Sequence, residues 1–337
     1  MQYERLAEIM RQNETVTASY SRYLNLQPRV ITADTVRKIA STCRVDTEEA
    51  YLSLFSAVLG WDTEQNEQHA HLEDTYLCQG LHRLNPDVYQ NDPYCRAVRF
   101  PSVKSGAWEL KESSYAPYEP FICDHLLCTD DLREIPQIGY FEEEFRFPAV
   151  LENGIEWMTV TPLEIETMCE PISHARGRVL TLGLGLGYYA FSAAQRECVS
   201  SVTVVERDPR IIALFNEHLL PQFPHREKIT VIEADAIAYL QELPQTAFDS
   251  IFVDLWRDQS DGLELYLAIC RIEKQRGLRN VDYWIESTLL SSLRHMVWNR
   301  INDPRTPMNL HGADPRELLT DAFLKKLAPS IPQSPNP

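Results

Sequence analysis

An apolar run closed by alternating glycines constrains this chain more than any other feature: Val179-Leu-Thr-Leu-Gly183-Leu-Gly185-Leu-Gly187, followed by Tyr188-Tyr-Ala-Phe-Ser-Ala-Ala. The Val/Leu run reads as a buried strand and the segment after it as a helix. Glycines between the two let the backbone turn sharply and let a ligand come close, while the first amides of the helix point toward it. A tight strand-to-helix turn with no ligand has the same glycines, so the motif alone leaves both readings open. The segments that follow fix the fold class. RVLTLGL, SVTVVER, KITVIEA, FDSIFVDLW and VDYWIES read as strands. Between them YYAFSAAQRE, DPRIIALFNEHLL, AIAYLQEL and ELYLAICRIEKQ read as helices. Such alternation predicts an α/β domain with a doubly wound, mostly parallel sheet.

Upstream the pattern differs. Residues 1–114 read mainly as helices, with Asp46 as a cap for DTEEAYLSLFSAVLGW and shorter helical segments around Tyr3–Met10 and Asp34–Ile39. The stretch TEQNEQHAHLE reads as a loop or solvated helix surface, with His69 and His71 as exposed side chains. Residues 115–160 carry aromatic and β-branched residues between turn signals, a small antiparallel β region. Its clearest turn is Glu152-Asn153-Gly154, joining FRFPAVL to IEWMTV. Thr161-Pro162-Leu163-Glu164 then fits a capping box with proline at the first helical position. It opens the α/β domain expected over residues 161–328. Helices are expected near Leu290–Ile301 and Pro315–Leu327, and residues 329–337 form a proline-rich tail.

A chain of 337 residues suits two domains, and 44% apolar residues can bury a sizeable core. No stretch approaches the roughly 20 apolar residues that span a bilayer, and MQYERLAEIMRQNE lacks a signal-peptide core. The expectation is a cytoplasmic protein without a membrane partner. Eight cysteines without a C-x-x-C pair fit a reduced compartment better than a disulfide framework. Cys123, His125 and Cys128 lack a convincing fourth ligand, so no metal site is expected. A formal net charge of −17 repels phosphate backbones and argues against nucleic acid. The same field favours cationic or neutral small molecules.

Three acidic strand ends extend the signal of the glycines. Glu206 ends the second strand about 20 residues after Gly187, placed to accept from ribose hydroxyls. Arg207 stands beside it. Asp235-Ala236 and Asp254 end the next two strands, and either aspartate alone reads equally well as a helix cap. Ligands of open α/β sheets bind outside the carboxyl ends of the strands, so the four ends together describe one site.

In order and spacing, V-L-T-L-G-L-G-L-G, V-V-E-R-D-P, E-A-D-A and F-D-S-I-F-V-D resemble the successive motifs of class I S-adenosylmethionine-dependent methyltransferases. The likeness is to the spermidine synthase-like branch and covers about 120 residues. It implies a Rossmann-like methyltransferase fold with S-adenosylmethionine as cofactor. Gly183, Gly185 and Gly187 would border its methionine part, Glu206 its ribose, Asp235 and Ala236 its adenine, and Asp254 its sulfonium. The chain departs from the pattern at Thr181, where many methyltransferases carry an acid. It also lacks the Tyr-His-Glu run and the glycine-loop aspartate of aminopropyltransferases, which demotes aminopropyl transfer. The sheet looks short by two strands after VDYWIE.

The reading reached is a methyltransferase acting on a small molecule. Asp254 and Asp258 are the candidate proton acceptors for a nucleophile such as an amine. Trp256 reads equally as a substrate wall or a packing anchor. One of Tyr188 and Tyr189 would cover the cofactor. Gly185-x-Gly187-x-x-Ala190 also satisfies the dinucleotide fingerprint, which keeps NAD as an alternative. Aminopropyl transfer and a non-catalytic cofactor-binding protein stay open as well, as does a homodimer.

Overall fold

The computed structural model describes residues 3–303 and Arg305. The helix expected at Pro315–Leu327 and the proline-rich tail lie outside the described residues. Contacts divide the chain into two compact units, each built from several stretches. The first comprises the residues up to Arg96, Leu110–Ala149 and Thr159–Glu166. The second comprises Ala97–Glu109, Val150–Met158 and the chain from Thr167 onward.

In the first unit the helices Tyr3–Leu26, Ala33–Cys43 and Thr47–Leu59 surround an aromatic core. The opening helix runs well beyond Met10, because Val16, Tyr20 and Tyr23 continue its apolar stripe and are all buried. Asp46 caps the third helix by accepting from the amide of Glu49 at 2.8 Å, and Gly60 ends it in the left-handed region. The polar stretch after it folds into the short helix Glu67–Leu72, capped by Asn66. Tyr51 packs on Phe55, Tyr118 and Tyr140, and its hydroxyl donates to the Tyr118 carbonyl at 3.0 Å. Buried Asn13 donates to the Leu132 carbonyl and accepts from the Tyr76 hydroxyl and the Glu134 amide. Asn13 and the Tyr51 and Tyr76 hydroxyls therefore have partners in this core, which removes the cost of burying them bare. Glu164 closes the capping box by accepting from the Thr161 amide at 2.9 Å.

Strand structure begins earlier than residue 115. Leu81–Arg83 pairs in parallel with Ile138–Tyr140. Val103–Ser105 and Trp108–Tyr115 join Phe145–Glu152 and Ile155–Thr159 in a four-stranded sheet. Trp108 and Leu110 are buried while Glu109 and Lys111 are half-buried, a period of two that marks a strand. The turn Asn153-Gly154 has φ of +53° and +80°, as a two-residue hairpin turn requires.

The second unit carries the parallel sheet, with strands β1 (Gly177–Leu182), β2 (Val199–Glu206), β3 (Ile229–Glu233), β4 (Ser250–Val253) and β5 (Val281–Tyr283). Every pairing is parallel, and the spatial order is β3-β2-β1-β4-β5. Chain order thus reverses between β1 and β4. Val179–Leu182 and all of β4 are buried, as central strands covered on both faces must be. β5 is shorter than VDYWIES suggests. Its run stops at Tyr283, where the Trp284 indole N–H donates to Thr167 Oγ1 at 2.9 Å and Ile285 takes φ +47° before the helix Glu286–Asn302. Among the described residues the sheet has five strands. No described helix is long and apolar enough to cross a membrane.

Candidate functional site

The glycine loop is shaped by contacts on all sides. β1 hands over to Gly183, whose amide donates to the Val205 carbonyl at 2.9 Å, while the Asp254 amide donates to the Leu182 carbonyl at 2.8 Å. Gly183 has φ +97°, and a Cβ there would lie 1.8 Å from the Asp254 carbonyl oxygen. Only glycine permits that approach of the β1 and β4 ends. Gly185 has φ +51°, and a Cβ there would meet Met158 Sδ at 1.7 Å. Gly187 faces the Phe215 ring and opens the helix Tyr188–Ala194.

Gly183 and Gly185 border a cavity of about 330 Å³ that lies wholly within the second unit. Gly187 does not border it. Glu206 does, and it stitches the end of β2 to the loop. Its Oε1 accepts from the amides of Arg207 (2.8 Å) and Asp208 (2.9 Å), and its Oε2 accepts from the Leu184 amide at 3.3 Å. A carboxylate offers about four acceptor positions, so a hydroxyl can still be received. Asp235 combines both roles open to it. Its Oδ1 caps the helix Ala236–Glu242 by accepting from the Ala238 amide at 2.9 Å, and it borders the cavity beside Ala236. Arg207 and Asp254 border it too.

Asp258 lies elsewhere. It caps the helix Gln259–Arg276, accepting from the Ser260 amide at 2.7 Å, while Asp261 accepts from the Asp258 amide in return. Tyr189 stacks on Phe252 in the core at 4.1 Å, and neither it nor Tyr188 borders the cavity. Thr181 is buried and donates to the Gly183 carbonyl at 3.4 Å. Trp256 is both wall and anchor: it borders the cavity and packs against Gly262, where a Cβ would sit 2.8 Å from its ring.

The opposite wall escaped sequence reasoning. It is the hairpin tip of the four-stranded sheet, contributing Trp108, Val150, Glu152, Trp157 and Met158. Trp108 and Trp157 meet edge to face at 5.9 Å, with Arg210 over the first ring at 5.8 Å and Arg257 over the second at 5.3 Å. A tryptophan three residues after the Asn153-Gly154 turn was the available signal, but nothing in the sequence pairs Ile155–Thr159 with a loop some 30 residues on. Arg210 also pairs with Asp208, and that guanidinium holds the Asp208 carboxyl below its ordinary range. The indole N–H groups of Trp108 and Trp256 are buried without an acceptor among the described residues. Two such donors among the lining residues suit a ligand or water carrying acceptors.

Cys123 is buried in the first unit, and burial pushes its thiol up to about 12. Among the described residues no group of three His, Cys, Asp or Glu side chains is placed to hold a metal ion.

No family model matches the sequence, and no curated protein matches it. Solved structures similar to part of the chain include spermidine synthase from Thermotoga maritima, at 18% identity and a TM-score of 0.29, over 36% of this chain and 47% of that one. They also include precorrin-6y C5,15-methyltransferase from Geobacter metallireducens, at 18% identity and 0.29, over 38% and 67%. A third is precorrin 8w decarboxylase from Methanobacterium thermoautotrophicum, at 21% identity and 0.30, over 40% and 70%. The chain thus spans about half the length of the spermidine synthase that it resembles.

Proposed function

We propose that the second unit binds S-adenosylmethionine in the cavity over its strand ends and transfers the methyl group to a small molecule. One observation carries the reading. Asp235, Glu206, the Gly183–Gly185 turn and Asp254 border a single cavity from the ends of neighbouring strands β3, β2, β1 and β4. The order β3-β2-β1-β4-β5 supports the reading of a doubly wound, Rossmann-like sheet, in which the reversal between β1 and β4 would be the place for a ligand.

The residues present fit an adenosyl group. Glu206 Oε2 has room for a ribose hydroxyl, Asp235 and Ala236 offer a polar edge and a small apolar surface for adenine, and Ile237 extends that surface. A cavity of about 330 Å³ is within the range of small-molecule sites. When bound, the cofactor supplies an electrophilic methyl on a sulfonium. The protein then has to align the acceptor and exclude water, which the Trp108, Trp157 and Trp256 walls can do. In this reading Asp254, which borders the cavity, takes a proton from the acceptor. Asp258 fixes the start of the helix that carries Gly262 against Trp256, and so holds that wall in place.

Calorimetric titration with S-adenosylmethionine, S-adenosylhomocysteine, decarboxylated S-adenosylmethionine and NAD tests the reading. Binding of the first two, weakened at least about ten-fold by Glu206→Ala, is expected, since a hydrogen bond to a charged group contributes about 1.5–3 kcal/mol. Preference for the decarboxylated form would favour aminopropyl transfer. Binding of NAD alone would overturn the assignment.

A further inference from the structure

We propose that Met158 decides which adenosyl ligands the site admits: its thioether covers the part of the glycine loop that a long 5′ substituent would need. The inference rests on the adenosyl reading above and adds a specificity-determining residue to it. Along the sheet edge the cavity-lining strand ends run Asp235 (β3), Glu206 (β2), the glycine loop (β1) and Asp254 (β4). A nucleoside held at Asp235 and Glu206 therefore lays its next group over the loop after β1. Glu206 Oε2 is itself only 3.3 Å from the Leu184 amide, one residue before Gly185.

At Gly185 that space is occupied. Met158 Sδ lies 1.7 Å, and its Cε 2.5 Å, from where a Cβ would stand. Gly185 is bare on this face because a protein side chain already rests on it, and the glycine that reads as ligand contact serves first as the seat of Met158. Met158 is half-buried and borders the cavity, on a strand whose neighbour Trp157 lies under Arg257. An unbranched thioether has three rotatable bonds, so it can swing off the loop without unpairing its strand. A ligand that ends at a 5′-methylthio group leaves Met158 in place. One that carries an ammonium and a carboxylate must displace it, because charged groups do not bury against an apolar side chain unpaired.

The test compares the wild type with Met158→Ala and Met158→Val, titrating methylthioadenosine and S-adenosylhomocysteine into each. Val keeps a strand-favouring side chain that is too short to reach the loop, so one variant retains the hairpin if Ala loosens it. Both variants should bind S-adenosylhomocysteine about ten-fold more tightly than wild type, the scale of one partly buried side chain no longer displaced. Methylthioadenosine should change by less than about two-fold, which also shows that the site is folded. Equal effects on the two ligands, or none on either, would overturn the role of Met158 alone. Binding of neither ligand to any of the three proteins would overturn the adenosyl reading, and this inference with it.

Discussion

A glycine is the residue at which this structure and its sequence are hardest to tell apart, and Gly185 shows why. Its φ of +51° disfavours a side chain, and the Met158 sulfur beside it leaves no space for one. Gly185→Ala should therefore cost about 1–3 kcal/mol from the left-handed backbone alone, with the displaced thioether adding to it. Thermal unfolding would show this as a drop of several degrees; a melting temperature within one degree of wild type would contradict the packing described. Glu206 is a residue whose role the sequence disclosed and whose partners it did not. Its place after Val202, Val204 and Val205 marked a polar strand end, but the three backbone amides it accepts from become visible only once loop and strand meet. Asp254 and Asp258 were paired in sequence as candidate proton acceptors, and only Asp254 was also read as a strand end. Asp254 continues a buried strand and borders the cavity, whereas Asp258 satisfies the amide of Ser260, a local bond that points it toward its own helix.

At the scale of elements, caps and apolar periods located the helices and parallel strands of the α/β half to within a few residues, but not the short helices Pro86–Gln90 and Pro93–Ala97 or the strand Leu81–Arg83. The ends of β5 and of the opening helix differ for a shared cause: local signals that tertiary packing overrode. VDYWIES has strand composition throughout, yet β5 ends at Tyr283 because Trp284 turns to bond Thr167. The opening helix, read in sequence only around Tyr3–Met10, runs on through Thr15, Thr17 and Ser19, residues of weak propensity, where buried Val16, Tyr20 and Tyr23 sustain it. Asp258→Ala removes a reciprocal cap and should destabilise by about 1 kcal/mol. It should leave cofactor affinity within about three-fold while loosening the Trp256 wall, so denaturant unfolding and ligand titration on one sample separate the two effects. A loss of affinity beyond about ten-fold with unchanged stability would instead give Asp258 a direct part in binding.

At the scale of the whole molecule, buried carboxyls contribute to the response to pH. Glu273 and Glu286 lie near one another in the second unit, bonded by the hydroxyls of Tyr283 (2.7 Å) and Tyr266 (2.8 Å). Burial raises both above their ordinary 4.5, and the charges of Glu273 and Asp282 add to the rise at Glu286. Glu164 in the first unit is raised by burial as well. A carboxyl raised in the fold binds its proton more tightly there than in the unfolded chain. Its contribution is therefore whole below pH 4.5 and is lost as pH rises through the folded value. Glu286→Gln keeps the acceptor for Tyr266 and abolishes the titration, so its stability relative to wild type should increase as pH is raised from 4 to 7. Denaturant midpoints across that range check the sign, and a difference independent of pH would refute it.

The sequence by itself determined the parallel α/β sheet and the strand-end side of the site. Both depend on short-range information: apolar period, caps, and a turn that only glycine can make. The wall formed by Trp108, Trp157 and Met158, and the occupation of Gly185 by a thioether, were decided by tertiary structure alone. Those contacts join chain segments far apart in sequence, and a hairpin carries no local mark of the surface against which its tip will pack.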